Sequence, residues 1–152
     1  MVAATEAALA RHHGEAGGLL PILHDVQDAV GHVPPAVVPM IAAAVNLSRA
    51  EVHGVVTYYH HFRSSPPPAR VVQICRAEAC RSMGAEALLA HARSRFGCDE
   101  HGVSRDGSVL VEAAYCLGLC ASSPAMFVGE ELHARVTKKK FDAVMDAAKE
   151  SA

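Results

Sequence analysis

The segment Arg63–Cys75, RSSPPPARVVQIC, joins two kinds of chain. Ser64, Ser65 and the prolines Pro66, Pro67 and Pro68 cannot continue a helix, because proline lacks an amide hydrogen and its ring clashes with the preceding turn. Past them, ARVVQIC is a short apolar run rich in β-branched residues, which predicts a buried strand ending at Cys75. A domain boundary is therefore expected at the prolines, with a helical domain over residues 1–65 and a second domain over 69–152.

Upstream, the patterning is helical throughout. TEAALARH (5–12) predicts a short helix stopped by Gly14, Gly17 and Gly18. In GLLPILHDVQDAVGHVPP, Leu19, Leu20, Ile22, Leu23, Val26, Ala29 and Val30 recur at helical spacing, with Pro21 tolerated in the first turn and Gly31 placed for the stop. A third helix is expected from Pro35, burying Val38, Ile41, Ala42 and Val45. Ser48-Arg-Ala-Glu51 then has the form of a capping box opening a fourth.

Downstream, the order changes to strand, helix, strand pair, strand pair, helix. SMGAEALLAHARSRF (82–96) predicts a helix ended by Gly97, and Asp106-Gly107 between extended pieces predicts a hairpin. Met126–Val128 and Leu132–Ala134 form a second expected strand pair. TKKKFDAVMDAAKE predicts a closing helix capped by Thr137, with Phe141, Val144, Met145 and Ala148 inward. The fold class is thus α+β: an N-terminal helical bundle, then a small mixed sheet with helices packed on it. A second domain of about 80 residues has little core to spare, and a bound metal would add stability.

Composition narrows the function classes. The chain has 152 residues, 51% apolar and 20% charged, with a formal charge of −2 and a single basic cluster, TKKKF. That balance supports a packed core and lacks the footprint of a nucleic-acid binder. No apolar run approaches the ~20 residues of a membrane span, and the N-terminus has no basic segment followed by an apolar core. A cytoplasmic protein without membrane insertion is expected, in which thiols stay reduced.

The five cysteines carry the chemistry. Cys75 and Cys80 are separated by RAEA, and Cys116 and Cys120 by LGL; each pair follows a predicted strand, so both are delivered to one loop region. Cys98, after the Gly97 stop, belongs to neither pair and is expected to be an ordinary buried thiol. Four such thiols suit a structural zinc ion or an iron–sulfur cluster, or are unrelated to one another, and spacing does not decide among these. Disulfide exchange would require a C-x-x-C pair, which the chain lacks. Leu117, Leu119 and Ala121 suit a dry wall beside a redox centre, and Gly118 a close backbone approach. Arg76 and Arg81 flank the first pair, where their charge would raise the potential of a redox centre, although solvation or pairing with Glu78 is the expected role. His53, His60 and His61 sit on or after the fourth helix, where packing at a surface or interface is the expected role. No phosphate loop, dinucleotide fingerprint or Ser-His-Asp set is present, so no catalytic residue is expected in this chain.

LLPILHDVQDAVGHVP, LSRAEVHGVVTYYHHFR, ICRAEACRSMGAE and YCLGLCASSPAMFVGEELHARVT, in that order, resemble the thioredoxin-like [2Fe-2S] ferredoxin family. Its members include the small flavin-associated subunit of respiratory complex I and the matching subunit of NAD-reducing hydrogenases. The resemblance implies a thioredoxin-like second domain with Cys75, Cys80, Cys116 and Cys120 as the four ligands of one [2Fe-2S] cluster. Within the family, CRAEAC followed by CLGLCASSPA is most similar to the gamma subunits of cytoplasmic NAD-dependent, molybdenum-containing formate dehydrogenases. Ala121 stands where many complex I members have glycine. That branch implies outer-sphere electron exchange with a flavin- and NAD-binding beta subunit, beside a molybdenum-containing alpha subunit. FMN, further iron–sulfur clusters and the molybdenum cofactor would then lie in those partners. The alternatives are the equivalent subunit of an NADH:quinone oxidoreductase or NAD-reducing hydrogenase and, from a different class, a zinc-stapled structural or interaction module.

Overall fold

The structure, a computed structural model, describes residues 1–150. Residues 151 and 152 of the expected second domain lie outside the described part. The chain divides into two compact units, Met1–Pro67 and one beginning at Pro68. No described helix is long and apolar enough to cross a membrane.

The first unit holds helices α1 (Val2–Arg11), α2 (Leu19–Val30), α3 (Val38–Ala44) and α4 (Arg49–Tyr58), with a 3-10 turn at Pro35–Val37 leading into α3. Helix α1 starts earlier than the expected Thr5. The Thr5 hydroxyl does not cap; it donates back to the Met1 carbonyl at 3.2 Å from inside the helix. Gly31 takes a left-handed φ of 84° and ends α2, its N–H donating to the Gln27 carbonyl. The capping box of α4 is complete: Glu51 N–H donates to Ser48 Oγ at 3.2 Å, and Ser48 N–H to the Glu51 carboxylate at 2.8 Å. Ile22, Leu23 and Val26 of α2 meet Ile41 and Ala42 of α3 and Val52 and Val56 of α4 in one buried core.

The second unit is built on four strands, β1 (Arg70–Cys75), β2 (Val109–Ala114), β3 (Met126–Val128) and β4 (Glu131–His133), in the order β2-β1-β3-β4. β1 runs parallel to β2 and antiparallel to β3, and β3 antiparallel to β4, so the sheet is mixed. A parallel neighbour requires a crossover. Here α5 (Glu78–Ser82) and α6 (Ala85–Phe96) supply it, with Gly84 at φ 90° separating them. The helix expected over 82–96 begins at Ala85, after the left-handed Gly84, and the short α5 before it is not predicted by the pattern. Helix α7 (Lys138–Glu150) completes the unit. Val72 and Ile74 of β1, Leu88 and Ala92 of α6, Met126 of β3, and Phe141 and Met145 of α7 share its main core. The rings of Phe96 and His91 meet Phe141 edge-on, and Arg95 pairs with Asp142 and Asp146 to fasten α6 to α7.

The expected hairpin at Asp106-Gly107 is reduced to a turn. Its upstream limb contributes a single bridge, Val103 opposite Leu110, flanked by Ser104 N–H to the Val109 carbonyl and Val111 N–H to the Gly102 carbonyl, each at 2.8 Å. The Ser104 hydroxyl, followed by Ser108 N–H and hydroxyl, holds the Asp106 carboxyl down at about 2. Just before that turn, Gly102 is at φ 85°, and a Cβ there would lie 2.2 Å from the Val111 carbonyl oxygen. Gly102→Ala is expected to cost roughly 2–4 kcal/mol, since a left-handed backbone and a clash with backbone act together. Urea unfolding of the two proteins checks this; Gly107→Ala, at φ 72° with nothing within 4 Å, should cost less.

Candidate metal centre

Cys75 ends the central strand, and this placement brings the two cysteine loops together. Its N–H donates to the Ala125 carbonyl at 3.0 Å, and the next N–H, of Arg76, donates to Ala114 at 2.7 Å. Ala114 ends β2 two residues before Cys116, and Ala125 follows Cys120 by five residues, just ahead of β3. The backbone of the first pair is therefore hydrogen-bonded to both ends of the segment that carries the second.

Cys75 and Cys80 are buried, whereas Cys116 and Cys120 are exposed. Cys116 and Cys120 bring their sulfurs to 3.9 Å. Two thiolates on one tetrahedral metal at about 2.3 Å would stand about 3.8 Å apart. Cys80 Sγ lies 3.5 Å from Ser123 Oγ, which itself donates to the Cys120 carbonyl at 2.7 Å, so Ser123 links the two pairs. Among the described residues, no three Cys, His, Asp or Glu side chains close around a single point as one metal ion requires.

The sulfurs are electrostatically unlike. Burial pushes the Cys75 thiol up, but backbone hydrogen bonds from Ala77, Leu117 and Cys116, together with the Cys80 side chain, more than offset it and hold Cys75 below the ordinary thiol range. Such amide donors stabilise thiolate, the form that ligates metal. Cys120 is pushed up, first by its hydrogen bond with Cys116, then by the charge of Cys116, burial, and the charges of Cys80 and Cys75. Mutual repulsion among thiolates is the condition that a bound cation relieves.

Leu117 and Leu119 pack, with Ala77, against a small buried cluster of Cys75, Cys80, Ala85 and Ala125. The expected dry wall is thus present on that side, while Ala121 is exposed. At Gly118 the demand is conformational: φ is 81° and a Cβ would meet no protein atom within 4 Å. The close amides belong to its neighbours. Cys116 itself is at φ 72°, a conformation that costs a non-glycine residue about 1–2 kcal/mol and that periodicity cannot reveal.

Arg76 and Arg81 do not pair with Glu78. The Arg76 guanidinium grips Glu86 of α6 through two bonds of 2.8 and 2.9 Å, and Arg81 Nε reaches the same carboxylate at 3.8 Å. Neither Glu86 nor Ser123 stands out from spacing. Cys98 lies apart, against the main core of the unit, where burial pushes its thiol up. His53, His60 and His61 are on the surface of the helical unit, and the His61 ring lies against His24 and Phe62.

Residues 5–149 match the sequence profile of the thioredoxin-like [2Fe-2S] ferredoxin family. An NADH-quinone oxidoreductase subunit of Rhizobium meliloti (strain 1021) is 30% identical over 93% of this chain and 84% of its own length. NADP-reducing hydrogenase subunit HndA of Solidesulfovibrio fructosivorans is 30% identical over 80% of this chain and 71% of its own. A crystal structure of NAD+-reducing [NiFe]-hydrogenase in the H2-reduced state superposes on 89% of this chain with a TM-score of 0.74 at 21% identity. The match spans 22% of that longer chain and shows a shared fold.

Proposed function

Because the chain belongs to the thioredoxin-like [2Fe-2S] ferredoxin family, we propose that Cys75, Cys80, Cys116 and Cys120 hold one [2Fe-2S] cluster in an electron-transfer subunit of an NAD-linked oxidoreductase. The observation that carries this reading is the junction at Cys75, whose backbone is bonded on both sides to the segment bearing Cys116 and Cys120. Four cysteines on two loops are a donor set that fits such a cluster, which asks two thiolates of each iron. When bound, the cluster supplies a one-electron store.

The residues of this chain position that store and set its surroundings. Leu117, Leu119 and Ala77 exclude water from the buried side, and the amides of Ala77, Leu117 and Cys116 face the Cys75 sulfur. The exposed pair, Cys116 and Cys120, marks the side open to a redox partner. No proton-transfer group is needed, because the ligating thiolates stay bound in both oxidation states. The partner is a flavin- and NAD-binding subunit, consistent with relatives drawn from two NAD(P)-linked complexes.

Those two relatives have equal identity to this chain although their complexes differ, so local residues must choose among assemblies. CRAEAC, CLGLCASSPA and Ala121 favour an NAD-dependent formate dehydrogenase with a molybdenum-containing alpha subunit. The complex purified from its host should contain molybdenum and FMN and reduce NAD with formate. Hydrogen-dependent NAD reduction, or NADH oxidation by quinone, in place of the formate reaction would assign it to the other branches.

A further inference from the structure

Arg76 and Arg81 each follow a proposed ligand immediately, in C-R-A-E-A-C-R, and both turn to one carboxylate on a different element. Arg76 is fixed at three points. Its N–H is bonded to Ala114, its guanidinium is forked onto Glu86, and the Tyr115 side chain, next to Cys116, also lies against it. A forked arginine–carboxylate pair has one geometry, unlike a lysine contact. Glu86 stands in the first turn of α6, two residues past the left-handed Gly84, so the carboxylate is carried on a regular helix.

We infer that Glu86 is a positioning residue that holds Arg76 and Arg81 beside the first cysteine pair, and that these three charges tune the reduction potential of the centre. The inference rests on the cluster assignment above. Reduction adds one negative charge while the thiolates stay bound. Cations nearby favour the reduced form and anions the oxidised form, and the set carries a net charge of +1. Removing the carboxylate charge should raise the potential; removing either arginine charge should lower it. A role limited to holding the loop would not give opposite signs.

The test is a redox titration, followed by electron paramagnetic resonance at low ionic strength, of the full chain purified anaerobically. Glu86→Gln is expected to raise the ratio of reduced to oxidised centre at a fixed poise on the order of tenfold, equivalent to about 59 mV for a one-electron couple. Arg76→Gln and Arg81→Gln should move it the other way, less for Arg81, whose side chain is 62% exposed. Arg76→Gln/Glu86→Gln should return close to the parent value. Shifts of one sign in all variants, or none, would overturn the inference. Arg81→Gln decides the matter if Glu86→Gln does not load, and an unchanged or raised potential there also overturns it. If the unsubstituted chain holds no iron and sulfide, the cluster assignment has failed instead.

Discussion

Cys116→Ser is expected to abolish or severely perturb the iron–sulfur chromophore, while Cys98→Ser leaves it intact. Cys116 lies 3.9 Å from its partner sulfur, is held in a left-handed conformation, and contributes its amide to the Cys75 sulfur. Exchanging its sulfur for a hydroxyl removes the thiolate on which ligation depends. Cys98 packs beside the main core of the sheet unit, away from the two pairs. Visible absorption and acid-labile sulfide, measured per chain on both variants, check the contrast. Equal losses in the two would show that the ligands are misassigned.

The second large effect is on stability. Phe141 of α7 is fully buried and meets Phe96 and His91 edge-on, in the core that also contains Val72 and Ile74 of β1. Phe141→Ala should lower the stability of this unit by about 3–5 kcal/mol, from lost burial and the cavity left behind. The same strand ends at Cys75, so the cradle is supported by this core. Urea unfolding should show the loss, with chromophore bleaching at lower urea than in the parent. Tyr58→Ala, at a residue 74% exposed, should stay within about 0.5 kcal/mol.

Most of the architecture is written in local signals. The prolines at 66–68, the Ser48–Glu51 capping box, and the glycines at 31 and 97 each act over a few residues, so the helices they bound can be read from the chain. The β-branched run into Cys75 marks β1 in the same way. What pattern cannot convey is partner choice. β2 joins β1 in parallel, a partner more than 30 residues upstream that local pattern cannot name, and pairs with residues 99–105 at the single Val103 bridge. Helix α5 has five residues and no periodicity to announce it. Glu86 is reached by two arginines from outside α6, both on the far side of the left-handed Gly84 and one of them in α5.

At the site, residue types are legible and geometry is not. The two cysteine pairs and the apolar LGL insert are visible as a donor set beside a dry wall, and the wall is realised by Leu117 and Leu119. The left-handed turn at Cys116, the Ser123 link between the pairs, and the amides on Cys75 arise from how two loops close on a strand end. Gly118 serves that turn through its φ rather than by making room.

Whether the four paired cysteines hold a [2Fe-2S] cluster is decided by metal and sulfide analysis of the full chain purified without oxygen. Iron and acid-labile sulfide are expected in equal amounts, about two of each per chain, with visible absorption. Stoichiometric zinc with no sulfide and no colour would rule the cluster out and leave a zinc-stapled module in its place.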